Sequence, residues 1–211
     1  MPDAEGHKWF AVVWDRMVKA ENSAIRQLRD DTVKGLQGRA LEIGCGNGAN
    51  FARYPDSVTE LQATDPDPYM LERARARAHE LGRKIEVRKA PAEQLPYEDA
   101  SFDAVVATLV LCTVADQARA LLEIRRVLKP GRDLRFFEHV RYEGRLAALM
   151  QDLIRPVWRW CGAGCHPNRN TAQAIEDAGF RITALRRVTP EPPIPPMWFS
   201  RPCIQGRAAA P

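Results

Sequence analysis

Three glycines at alternate positions, Gly44, Gly46 and Gly48, stand in the run Leu41-Glu-Ile-Gly-Cys-Gly-Asn-Gly-Ala-Asn50. Such alternation lets a chain turn sharply off a strand end and brings its backbone closer to a ligand than side chains would allow. The chemistry implied is nucleotide binding, and two ligands fit. Gly44-x-Gly46-x-x-Ala49 matches a dinucleotide loop in which alanine takes the third glycine position. Glu42, two residues ahead of Gly44, places a carboxylate beside the turn. There it would repel a pyrophosphate and suit a ligand bearing an ammonium group, as S-adenosylmethionine does. Asp65 follows Gly48 by 17 residues, near the spacing of about 20 at which an acid bonds ribose hydroxyls. Its competing role is to cap the next helix, a task for which Asp67 is better placed.

A second group of residues suits acid–base chemistry on an acceptor. His139 follows an apolar run and falls at a strand's C-terminal end, where open α/β sheets bind their ligands. It is the first candidate base, against a structural histidine bonded to backbone or to Glu138. His166 and Arg169 follow the Gly162–Gly164 turn and are candidates to close over an acceptor, against plain solvation. Cys161-x-x-x-Cys165-His166 invites a zinc reading, but the spacing is irregular and no fourth ligand is evident, so no metal is expected. Cys112 reads as a core residue.

These residues need strands and helices to hold them. Apolar residues recur at helical spacing from His7 to Leu28. Short apolar runs at Arg39–Ile43, Glu60–Thr64, Ile85–Lys89, Phe102–Leu109 and Asp133–His139 read as strands. Between them lie helical patterns at Asn50–Arg53, Tyr69–Leu81 and Asp116–Leu128. Lys129-Pro130-Gly131 is expected to stop the last of these. Farther on, the aromatic stretch Leu146–Trp160 is broken at Arg155-Pro156, and a helix at Thr171–Ala178 ends on Gly179. Strands at Arg181–Val188 and Ile204–Ala209 flank a link, Thr189–Pro196, in which five of eight residues are proline. Core packing, a pocket roof and a membrane-facing surface are all open for Leu146–Trp160.

The 211 residues suit one domain. We read residues 1–37 as a helical cap, 38–140 as a cofactor-binding core, and 141–211 as the substrate side and final strands. Hydrophobic residues at 45% and charged residues at 27% argue against disordered or fibrous classes. The net charge of +4 is too small, and Arg73, Arg75, Arg77, Arg83 and Lys84 lack the stacking aromatics, for nucleic acid to be an expected partner. Five scattered cysteines read as free thiols in the cytoplasm. No apolar run reaches the ~20 residues of a membrane span, which leaves peripheral contact as the only membrane association expected.

The chain resembles the class I S-adenosylmethionine-dependent methyltransferases. The resemblance rests on Glu42-x-Gly44-x-Gly46-x-Gly48, Thr64-Asp65-Pro66-Asp67-Pro68-Tyr69-Met70, Ala92-Glu93-Gln94-Leu95-Pro96-Tyr97 with Ser101–Val105, and Arg125–Gly131. Within them it is similar to the methyltransferase-like thiol S-methyltransferases, through Gly46–Phe51, Tyr54-Pro55, Thr108–Val114, Phe137–Val140 and Gly164-Cys165. The microsomal members' apolar N-terminus is missing, and Ala163 replaces their acid. The resemblance implies a doubly wound, Rossmann-like sheet of seven strands, mostly parallel with an antiparallel last strand, and helices on both faces. It implies S-adenosylmethionine as cofactor, S-adenosylhomocysteine as product, and a small, apolar acceptor methylated at a thiol sulfur. Glu42, Gly44, Cys45, Gly46, Asn47, Gly48, Asp65, Pro66, Ala92, Glu93, Thr108 and Leu109 would bind the cofactor. Pro91 stands in place of the usual adenine-side acid, leaving Ala92 backbone or Glu93 for that task. The alternatives are an O-, N- or C-methyltransferase of a quinone, lipid or secondary metabolite, a nucleotide-dependent oxidoreductase, and a non-catalytic cofactor-binding protein.

Overall fold

The computed structural model describes residue 6, residues 8–190 and residues 195–211, so half of the proline-rich link, residues 191–194, falls outside the described residues. Two helices come first, α1 at Lys8–Lys19 and α2 at Ser23–Val33. The sequence pattern reads as one helical region from His7 to Leu28. It divides because Asn22 takes an extended conformation and accepts a hydrogen bond from the Ile25 amide at 3.0 Å, an N-cap that starts α2 afresh.

The sheet then assembles from β1 (Gly38–Ile43), β2 (Val58–Asp65), β3 (Ile85–Lys89), β4 (Phe102–Thr108), β5 (Leu128–His139), β6 (Arg181–Val188) and β7 (Cys203–Ala209). Its spatial order is β3-β2-β1-β4-β5-β7-β6, and β7 alone runs antiparallel to its neighbours. Helices α3 (Pro68–Glu80), α4 (Gln117–Val127), α5 (Arg145–Cys161) and α6 (Thr171–Asp177) complete the fold. The order reverses between β1 and β4, and this switch point is where open α/β sheets hold ligands.

Strand alternation divides the core in two. Val105 and Ala107 of β4 point to the face covered by α4 and α6, with Leu121, Ile124 and Ile175. Ala104 and Val106 point to the opposite face, with Val33 of α2 and Ala74 of α3. Burial of each large side chain, such as the fully enclosed Phe136, stabilises the fold by about 1.5–3 kcal/mol.

Two expectations about element ends change. Lys129-Pro130-Gly131 does end α4, but the residues already belong to β5. The ladder pairs Phe102 with Leu128 and then Ala104 with Asp133, so Lys129–Arg132 loop out between two registers. Helix α5 also continues through Pro156 instead of breaking there. The ring removes one amide donor, which the exposed helix tolerates because water can reach the freed carbonyl region. Core packing is not the role of this stretch. Leu146, Leu149, Leu153, Val157 and Trp160 are exposed along one helical stripe, and Trp160 reaches 81%. No helix among the described residues is long and apolar enough to cross a membrane.

Candidate active site

The glycine loop leaves β1 at the switch point. Gly44 takes φ +54°, and a Cβ there would fall 2.5 Å from the Val110 side chain, so conformation and space both demand glycine. Gly46 also lies at φ +54°, yet an added Cβ would meet only Trp14 Nε1, at 3.5 Å. Its face is open apart from α1. That helix lies over the loop: Asn47 Nδ2 donates to Asp15 Oδ1 at 2.9 Å. Gly46 N–H donates to Asp65 Oδ2, and Asp67 N–H to Asp65 Oδ1, both at 2.9 Å. Asp67, not Asp65, caps α3 through the Tyr69 and Met70 amides.

Glu42 is buried, and its Oε1 accepts from Asn50 Nδ2 at 2.9 Å. Asn50 in turn bonds Thr108 Oγ1 at 3.2 Å and accepts from Arg29 Nη1 at 3.1 Å. Arg29 is itself buried against Glu21. The buried Tyr54 hydroxyl is the other hydrogen-bonding neighbour of the Glu42 carboxyl. Burial pushes the Glu42 carboxyl up to about 7, against the opposing pull of Tyr54, Asn50 and Arg29. Asp65 is likewise raised by burial to about 6, with its backbone bonds pulling the other way. A cationic amino-acid nucleoside fits this cradle. The Glu42 carboxylate, with lone pairs beyond those used by Asn50 and Tyr54, offers an acceptor for an ammonium group. Asp65, with one bond on each oxygen, keeps acceptor capacity for vicinal hydroxyls.

Other proposed cofactor residues are placed less uniformly. Cys45 is buried beneath the loop, with its amide on Thr64 O at 2.9 Å. Pro66 is exposed. Ala92 is buried in the core, while Glu93 Oε1 accepts from the Asp116 amide at 3.2 Å. The Glu93 carboxylate is thus committed to the start of α4, which leaves the Ala92 backbone as the adenine-side candidate. Leu109 lies at φ +60°, a conformation that costs a non-glycine residue about 1–3 kcal/mol. The strain places the next turn, Val110–Cys112, at the sheet edge.

Glu138 holds that turn. Wholly buried, it accepts from the Val110 and Leu111 amides at 2.9 Å and from Cys112 N–H at 3.1 Å. Burial nevertheless keeps its carboxyl above the usual range. The next residue, His139, is half-buried and turns Nδ1 toward two sulfurs, Cys112 at 3.7 Å and Cys165 at 3.6 Å. Cys112 is therefore a neighbour of the candidate base as well as a core residue. The Arg169 guanidinium donates to Leu111 O at 2.6 Å and Val114 O at 2.7 Å, so it clamps the turn. His166 joins the same turn through its amide, on Cys112 O at 2.7 Å. Desolvation, then Arg169, Arg159 and Arg155, depress its imidazole to about 4. The side chain of Cys161 lies outside the described residues.

Several positioning residues are absent from the sequence expectation. Arg29 and Asn50 orient Glu42, although Asn50 stands inside the glycine-loop motif. Gln151, wholly buried, donates to Val140 O, Pro167 O and Phe199 O and accepts from the Tyr142 amide. A glutamine in an apolar helix was the available signal.

Comparison with known proteins identifies the family. Residues 41–136 match the methyltransferase domain family. The chain is 37% identical over 187 residues to the human thiol S-methyltransferase TMT1B, covering 83% of this chain and 74% of that protein. It is 36% identical to the rat protein of the same name, over 94% of this chain and 83% of that one. Among solved structures, a S-adenosylmethionine-dependent methyltransferase from Thermotoga maritima, titled a possible histamine N-methyltransferase, shares the fold with a TM-score of 0.73. Its identity is 22%, with 97% of each chain covered. The chain belongs to the family of S-adenosylmethionine-dependent methyltransferases that includes the thiol S-methyltransferases.

Proposed function

We propose that the protein transfers a methyl group to the sulfur of a small, apolar thiol. The observation that carries this reading is the 37% identity to a named thiol S-methyltransferase across three quarters of that protein. The cofactor, when bound, supplies an electrophilic sulfonium methyl, so the chain's principal task is to hold a nucleophile in line and keep water out. Glu42 and Asp65 bind and orient the donor from one side of the switch point. The Leu109–Cys112 turn, fixed by Glu138 and Arg169, forms the acceptor side.

Acid–base demand on the side chains is small in this reading. His166, at about 4, is too weak a base to take a thiol proton efficiently. Arg169 positions the turn, and His139 remains the acceptor-side group. The same reading puts the protein in the cytoplasm, where Cys45, Cys112, Cys165 and Cys203 stay free thiols.

Incubation with donor labelled in the methyl group and a panel of alkyl thiols, phenols and amines tests the proposal. Labelled thioether as the main product is expected. Phenols and amines belong in the panel because a demethylmenaquinone methyltransferase and a phosphatidylethanolamine N-methyltransferase are more partial relatives, covering 57% and 58% of this chain. Preferred methylation of either class would reject the thiol.

A further inference from the structure

Cys112, His139 and Cys165 come from three separate stretches: the turn after β4, the end of β5 and the turn after α5. Their ligating atoms form a nearly equilateral triangle, with Sγ to Sγ 3.7 Å and Nδ1 to the two sulfurs 3.7 and 3.6 Å. A tetrahedral zinc ion, with bonds of about 2.3 Å to sulfur and about 2.0–2.1 Å to nitrogen, would set these edges at about 3.8 and about 3.6 Å. The triangle thus has the dimensions of one face of that tetrahedron. A disulfide would need the sulfurs at about 2.0 Å. Without a cation the three groups are joined only by weak sulfur hydrogen bonds, Cys165 Sγ–H donating to Cys112 Sγ and Cys112 Sγ lying 3.7 Å from His139 Nδ1.

The surroundings fix each ligand. Cys112 is held by Glu138 through its amide, and its carbonyl accepts from His166 N–H at 2.7 Å, which stitches the two cysteine turns together. Cys165 follows Ala163 at φ +49° and Gly164 at φ +87°, a constrained turn that aims it inward. Among the described residues no fourth His, Cys, Asp or Glu joins the group. Catalytic zinc sites are held by three protein ligands with a fourth position open to substrate. Both cysteines are buried while His139 is partly exposed, so access lies on the histidine side. His139 ends β5, the strand beside β4, whose terminal Thr108 bonds Asn50 of the glycine loop.

We propose that Cys112, His139 and Cys165 hold a thiophilic divalent cation, zinc, whose fourth position receives the sulfur of the acceptor thiol. This rests on the thiol reading above. It departs from the metal-free expectation, which weighed only the local spacing of Cys161, Cys165 and His166. On binding, the thiol S–H bond breaks and its proton leaves to solvent. A sulfur lone pair then attacks the donor methyl: the new S–CH3 bond forms as the sulfonium C–S bond breaks. The products are a methyl thioether and S-adenosylhomocysteine, with no change in the metal's oxidation state.

The test is metal content of the purified, reduced protein after equilibration with zinc and exhaustive dialysis, with cobalt substitution as an optical readout that needs no turnover. One zinc per chain is expected, with thiolate-to-cobalt charge-transfer absorption. Both should fall at least ten-fold in Cys112→Ser, His139→Ala and Cys165→Ser and persist in Cys203→Ser. Wild-type protein that holds less than a tenth of an equivalent, or a loss equal in Cys203→Ser, overturns the site, as does a Cys112–Cys165 disulfide found in its place. The cobalt spectrum of the wild type keeps the question open to refutation if a variant fails to fold. Thiol turnover by metal-free protein would reject the site and leave the thiol reading standing. Stoichiometric metal with turnover only on phenols or amines would do the reverse.

Discussion

The donor cradle and the acceptor turn lie on the same sheet edge, one strand apart, but are held by different means. The cradle's core is local: three glycines, Glu42, Asn47 and Asn50 fall within nine residues, with the Asp65 carboxylate 19 residues beyond Gly46, and only Asn50 and Asn47 reach farther, to Thr108, Arg29 and Asp15. The acceptor side is built from side chains reaching across the chain. Glu138 holds amides 26 to 28 residues earlier, and Arg169 holds carbonyls 55 and 58 residues earlier. Gln151 ties together three segments that lie up to 48 residues from it. A cradle of this kind tolerates variation elsewhere in the fold, whereas the acceptor turn depends on a few buried polar hubs. Its hubs should therefore be the more costly to remove.

The largest effect expected is at Glu138. Glu138→Ala strands three buried amides, each bonded to a carboxylate in the native protein, and should cost about 3–5 kcal/mol in urea-induced unfolding. Glu138→Gln keeps one acceptor oxygen and should lose about half as much. A loss below 1 kcal/mol in the alanine variant would show that the hub is dispensable and erase the contrast.

The cradle's liability is charge rather than connectivity, and it appears as a pH dependence. Burial raises the Glu42 carboxyl from 4.5 to about 7. A carboxyl raised in the folded state binds its proton more tightly there than in the unfolded chain. Its contribution to stability is present below about pH 4.5 and is lost as pH rises through about 7. The full difference is on the order of 3 kcal/mol. Asp65, raised to about 6, acts with the same sign over a lower range. Unfolding free energies at pH 5 and pH 8 should therefore fall in the wild type and fall much less in Glu42→Gln. Donor affinity should move the other way, tightening as Glu42 ionises and faces the ammonium group. An equal slope in both proteins would mean that Glu42 is not the titrating group.

How much of this was legible in the sequence follows from the same division. Gly44, Gly46, Gly48, Glu42 and Asp65 were readable because a strand, a turn and an acid at fixed spacing occupy one contiguous stretch. The strands themselves followed from apolar runs separated by helical periods. The trio at Cys112, His139 and Cys165 has no local spacing to read, because the contact exists only once β4, β5 and the α5 turn are packed. Local spacing pointed instead to Cys161 and His166. The break before Ser23 was signalled by Asn22, a cap residue inside a pattern whose apolar period continues across it.

Gln151 offers a smaller and more local break. Gln151→Leu keeps the volume but leaves three carbonyls and the Tyr142 amide without their partner, at a cost of about 2 kcal/mol. The damage should concentrate in the turn after α5. Hydrogen exchange is expected to quicken at Cys165 and His166 while the amides of Gly46 and Asp67, on the donor side, keep their protection. Uniform loss of protection across both sides would show that the two regions unfold as one unit.

The smallest effect belongs to the helix that carries Gln151 on its other face. Leu153 is 65% exposed and Trp160 81% exposed, so neither surrenders much buried area when replaced by a polar residue. Leu153→Ser and Trp160→Ser, singly, should each change unfolding free energy by less than about 0.5 kcal/mol. Serine's lower helix propensity accounts for most of that change. The measurement is urea unfolding at two protein concentrations. A cost above about 1.5 kcal/mol, or one that grows with concentration, would mean that the stripe is covered in solution, because a residue that touches only water cannot lose that much. The helix would then be a third structural region with its own partner, rather than an outer wall of the acceptor side held in place by Gln151, by Asp152 paired with Arg141 and Asn168, and by Trp158 against Phe199.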